Sequence, residues 1–192
     1  MSYGFYAYMS RMKLIDRWSL MRNTRAENIA EHSQQVAMLA HALALIGNRY
    51  FGESNDAGQI VLLALYHDVG EVVIGDLPTP VKYYNPAIKR AYGELEQAAK
   101  RKLLEKLPEP LREDYLPYLF AGNEAPLRIV KAADKLAAYI KCIEEATAGN
   151  CEFTRAQASI KKELDKFTDV PALKWFLQNC IESFAMTIDE LE

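Results

Sequence analysis

Apolar residues recur at three-and-four spacing along most of the chain, which predicts helices joined by short connections. A first helix is expected from Gly4 to about Leu14. A second is expected from Thr24, whose spacing to Glu27 fits a capping box, to about Tyr50. Gly52 and the polar Glu53-Ser54-Asn55 break it. The apolar stretch from Ile60 to Val69 contains β-branched residues, yet its length favours a third helix over 56–70. Two prolines within Gly75-Asp76-Leu77-Pro78-Thr79-Pro80 oppose a regular element, so this segment reads as a loop. Asn85 and Pro86 supply an N-cap and a first-turn proline for a long helix to about Leu107. Pro126 opens a helix to about Thr147, with Gly149 as its stop. Thr154 with Gln157 opens another, to about Phe167, and Pro171 begins the last, to about Leu191. No strand pair is evident, so the expectation is an all-α domain over 1–192 with five or six main helices.

The informative residues are ionisable groups placed where this periodicity expects hydrophobes, because burying such a group is costly unless something compensates it. Ile29, His32, Val36, Leu39 and Leu43 share one stripe, which aims His32 inward. On the third helix Ile60, Leu63 and Ala64 lead to His67, while Val61, Ala64 and Leu65 lead to Asp68. Leu127 and Val130 precede Asp134, and Ala137 and Ala138 follow it. Singly, an inward His or Asp is commonly a hydrogen-bonded core residue or a cap. Together, two imidazoles and two carboxylates form a mixed N/O set suited to Mn²⁺, Co²⁺, Zn²⁺ or Mg²⁺. His41 has no partner at a useful spacing and reads as structural or exposed.

Composition narrows the field. With 23 Lys+Arg against 26 Asp+Glu, no broad basic face exists for nucleic acid. The three cysteines are odd in number and lack zinc-knuckle spacing, which points to free thiols in a reducing, cytoplasmic compartment. No apolar run reaches the ~20 residues that span a bilayer, so no membrane partner is expected.

His32, then His67-Asp68, then Asp134 is the H…HD…D pattern of the HD-domain metal-dependent phosphohydrolases. Arg17-Trp18, Glu31-His32-Ser33, the run from His67 to Glu71, the loop from Gly75 to Pro80, and Ala133-Asp134-Lys135 together resemble the bacterial 5′-deoxynucleotidases. The similarity spans essentially the whole chain and is strongest from Tyr8 to Lys82. It implies a helical homodimer with one divalent metal ion on His32, His67, Asp68 and Asp134. The implied reaction removes the 5′-phosphate from deoxyribonucleoside 5′-monophosphates by attack of metal-activated water on phosphorus.

Within that resemblance Glu71, one helical turn beyond Asp68, suits general acid or base work. Arg17 offers a planar fork for phosphate oxygens. Trp18 would crowd the place of a ribose 2′-hydroxyl. Asp76 and Thr79 could fix the sugar 3′-hydroxyl or the phosphate. The expected substrate contacts are Arg17, Trp18, His32, Asp68, Asp76, Leu77, Pro78, Thr79 and Asp134, with Glu71, Arg17 and Asp68 in catalytic roles. The alternatives are an HD phosphohydrolase acting on a triphosphate, a cyclic nucleotide or an alarmone, and a non-catalytic nucleotide-sensing module.

Overall fold

The structure, a computed structural model, describes residues 2–82, 84–122 and 125–192. Among these residues the regular elements are helical, and one isolated bridge between Asp16 and Asn28 is the sole β-type pairing. The α-helices are α1 (Phe5–Arg11), α2 (Ile29–Tyr50), α3 (Ala57–Tyr66), α4 (Glu71–Ile74), α5 (Thr79–Lys82), α6 (Pro86–Leu104), α7 (Glu109–Leu119), α8 (Ala125–Thr147), α9 (Thr154–Leu164) and α10 (Pro171–Asn179).

The main core is built where α2 lies along α3 and α8, with α10 closing over α2. Leu43 and Ala40 of α2, Ile60 of α3, and Leu136 and Ile140 of α8 are fully buried there. A second cluster gathers Phe5, Val69, Leu103, Leu107 and Leu119. The turn after α3 therefore runs between two apolar clusters, one holding Leu63 and Ala64 and the other Val69.

Several boundaries differ from the sequence reading, each for a local reason. The second helix starts at Ile29 rather than near Thr24. Asn28 caps it, accepting from the N–H groups of Ala30 and Glu31 at 3.0 Å each. Thr24 instead gives its hydroxyl to Glu145, so no capping box forms with Glu27. α3, capped by Asp56, ends at Tyr66; His67 is its C-cap, and residues 67–70 form a turn before α4. The window Ala57–Ile74, whose mean hydropathy of 1.4 would suit a membrane span, is thereby broken, and Ile60, Leu63 and Ala64 face the protein core.

Thr79 to Lys82 forms one helical turn within the segment read as loop; Pro80 fits its first turn, where no backbone N–H is needed. The hydroxyl of Thr154 donates to the Cys151 carbonyl rather than capping α9, and α9 ends at Leu164. The last helix stops at Asn179 and is followed by two short 3-10 segments. The cysteines are free, Cys142 buried and Cys151 exposed, and His41 is exposed.

Candidate metal and phosphate site

Four elements deliver the ionisable side chains to one place. His32 lies on the first turn of α2 and is fully buried. His67 and Asp68 sit on the turn after α3, Glu71 opens α4, and Asp134 lies midway along α8. That turn packs tightly against α6: a Cβ at Gly70 would stand 3.1 Å from Glu96 Cγ, close enough that the Glu96 side chain would have to give way.

His67 Nδ1 is 2.7 Å from the Ala64 carbonyl oxygen, which only accepts, so this nitrogen carries the proton. Nε2, the ring nitrogen left to face the site, is buried without a hydrogen-bond partner, 2.9 Å from Asp68 Oδ2. His32 Nε2 is 3.1 Å from Asp134 Oδ1 and 3.6 Å from Asp68 Oδ2. Ligand atoms ~2.1 Å from one ion at right angles lie ~3 Å apart, so these spacings suit a shared cation. His32, His67 and Asp68 each offer an atom within 4.8 Å of the others, and Asp134 reaches the group through His32.

Electrostatics agree with a cation-seeking cluster. Burial alone would raise the Asp68 carboxyl, but the facing imidazoles of His67 and His32 outweigh it and hold the group ionised. Burial opposes ionisation of Asp134 too, and His32 3.1 Å away together with the nearby Lys135 charge prevails. Glu71 behaves oppositely. It is buried, its Oε2 has no hydrogen-bond partner, and burial with the charges of Asp68 and Asp76 pushes its carboxyl up to about 9.

Arg17 and Trp18 come from the segment before α2, which is closed like a hairpin: Arg17 N–H donates to Glu27 O at 2.8 Å and Ile29 N–H to Ile15 O at 3.0 Å. The Arg17 guanidinium stands 3.5 Å from Asp68 and 3.2 Å from Glu27. Trp18 has φ of 57°, a left-handed conformation that bulky residues rarely adopt. Its indole packs 5.2 Å from the Phe153 ring and donates to Glu27 Oε2 at 2.7 Å.

A cavity of about 570 Å³ opens beside these groups, lined by Arg17, Trp18, Asp76, Pro78, Thr79 and Asp134, and on its far side by Ala156, Ser159, Ile160 and Glu163 of α9. That volume is of the size that takes a small organic ligand. Leu77 is not among its lining residues.

Two contributions were missed in the sequence. Glu27 was read as half of a capping box; nothing in its spacing relates it to Arg17 and Trp18, which only the hairpin closure sets beside it. The α9 wall was missed because Ser159 and Glu163 look like ordinary solvated positions of an amphipathic helix.

A family model described as "5'-deoxynucleotidase YfbR-like" matches residues 4–184. A 5′-deoxynucleotidase from Photobacterium profundum is 49% identical over 189 residues, covering 97% of each chain. One from Photorhabdus laumondii is 50% identical over 190 residues, covering 97% of this chain and 95% of the relative. Among solved structures, an HD-domain phosphohydrolase from Listeria innocua superposes with a TM-score of 0.83 at 20% identity, over 94% of this chain and 87% of that one. A cyanophage S-2L HD phosphohydrolase, bound to dA and one catalytic Zn²⁺, gives a TM-score of 0.67 at 19% identity, over 92% of this chain and 96% of that one.

Proposed function

We propose that this chain is a metal-dependent 5′-deoxynucleotidase, on a premise of kinship: the chain belongs to the YfbR-like 5′-deoxynucleotidase family. It hydrolyses deoxyribonucleoside 5′-monophosphates to deoxynucleosides and phosphate. His32, His67, Asp68 and Asp134 hold one divalent cation, of which Co²⁺, Mn²⁺, Mg²⁺ and Zn²⁺ all suit an N/O donor set. The observation that carries this reading is the meeting of His67 Nε2 and Asp68 Oδ2 at 2.9 Å, with His32 and Asp134 alongside. Such a set of nitrogen and oxygen donors, drawn together from separate elements, fits one shared cation.

When bound, such a cation supplies charge to phosphoryl oxygens and acidifies a coordinated water. The chain's own residues do the rest. Arg17, permanently charged, grips phosphate oxygens and orients the group. Glu71, protonated at neutral pH, holds a proton for the departing 5′-oxygen, which favours the acid role over the base role. Trp18, fixed beside the cavity, crowds a ribose 2′-hydroxyl, while Asp76 and Thr79 hold the sugar. Pro78 lines the cavity beside them and contributes to the substrate contact. We further take the assembly to be a cytoplasmic homodimer, for which exposed Met38 and Leu45 of α2 and Leu62 and Leu65 of α3 offer apolar surface.

The test is release of inorganic phosphate from a panel of deoxy- and ribonucleoside monophosphates, triphosphates and cyclic nucleotides. Metal-stripped protein should be inert, and activity should return on adding a divalent cation, fastest with the deoxy monophosphates. Release without any cation, or from triphosphates alone, would overturn the reading.

A further inference from the structure

Glu27 is 9% exposed, yet it neither caps α2, a task done by Asn28, nor lines the cavity. A carboxylate is rarely buried to that degree unless groups around it compensate. Three do. Trp18 Nε1–H donates to Oε2 at 2.7 Å, Arg17 Nε–H donates to the same oxygen at 3.2 Å, and the other oxygen faces His32 Nδ1 at 3.7 Å.

From this convergence, and resting on the metal-dependent reading above, we infer that Glu27 is a positioning residue that couples the substrate arm, Arg17 and Trp18, to the metal-facing imidazole of His32. The Glu27 carboxylate accepts from Trp18 and Arg17 through one oxygen and turns the other toward the His32 ring. An acceptor on the Nδ1 side holds the His32 ring so that Nε2 is presented to Asp134 and Asp68. At 3.7 Å the influence is that of charge rather than a formed hydrogen bond. His67 receives the same orientation from a neutral acceptor, the Ala64 carbonyl. The two imidazoles are thus set by different acceptors, and His32 alone is set by one that also holds Arg17 and Trp18. Glu27 also restrains Trp18 in its left-handed backbone conformation, since the indole bond to Oε2 and the Phe153 contact hold the ring.

Glu27→Gln tests the coupling. Glutamine keeps one accepting oxygen for the indole but turns an amide N–H₂ toward donors. Zn²⁺ affinity is measured by chelator competition without substrate, and kcat and KM are measured at saturating metal with a deoxy- and ribonucleotide pair. The variant should bind Zn²⁺ about 10- to 100-fold more weakly. At saturating metal its KM should rise roughly tenfold with kcat within about threefold, and the deoxy preference should narrow.

Zn²⁺ affinity equal to that of the unsubstituted protein, with KM alone altered, would show that Glu27 serves only Arg17 and overturn the inference. Failure of the unsubstituted protein to bind any cation would instead bring down the function reading itself. A second measurement leaves Glu27 untouched. Trp175, stacked on Tyr50, is the other of the chain's 2 tryptophans, so Trp175→Phe leaves Trp18 as the sole indole emitter. Its emission should shift on adding Zn²⁺, and no response would equally overturn the coupling.

Discussion

At the scale of residues, Glu71 carries the sharpest consequence, because a carboxyl that keeps its proton at neutral pH is close in shape and charge to an amide. Glu71→Gln should therefore fold and bind metal as before while kcat falls about 100-fold or more, the range set by loss of a general acid. Phosphate release, measured beside metal content on the same preparation, checks this; unchanged turnover would remove Glu71 from the chemistry. His32, His67, Asp68 and Asp134 were legible in the sequence because each interrupts an apolar stripe, a signal that burial cost makes meaningful. Glu27 was not legible. Its partners lie nine and ten residues upstream across a bend, and helical periodicity says nothing about side chains meeting across a turn.

At the scale of elements, the segment before α2 is fastened to the end of α8 by Glu145. The buried carboxylate accepts from the Thr24 N–H at 2.9 Å and hydroxyl at 2.8 Å, from Asn150 Nδ2 at 2.7 Å, and from the Lys141 ammonium. Burial opposes ionisation here, but Lys141, Thr24 and Asn150 overcome it and bring the carboxyl down to about 2 from an ordinary value of 4.5. The stabilisation is thus fully present above pH ~4.5 and is lost as pH falls toward ~2, on the order of 3 kcal/mol in all. Denaturant unfolding across that range should show this dependence in the unsubstituted protein and a flatter one in Glu145→Gln. Equal slopes would show that the fastening lies elsewhere. The same residue explains why helix starts were harder to read than helix existence. Thr24 has the right spacing for a cap, but a long-range acceptor claims its hydroxyl.

At the scale of the whole molecule, the all-α class was legible because the apolar stripes of α2, α3 and α8 each run over several turns, and those stripes are what packs. The break after Tyr66 was not, because the run to Val69 stays apolar while passing from one cluster to the other. Leu43, fully buried in α2 within the main cluster, should reveal how far the site depends on that packing. Leu43→Ala should lower unfolding free energy by about 2–5 kcal/mol in urea titrations. A change below about 1 kcal/mol would mean that the surrounding helices collapse to fill the space.

The pairing of His32 with Asp134 spans 102 positions of chain. A ribosome must therefore release α8 before the earlier side chains can meet Asp134, and a half-made polypeptide carries the imidazoles without that carboxylate. If Asp134 completes the proposed cation site, nucleotide turnover would report the final docking event, starting only when that distant helix arrives.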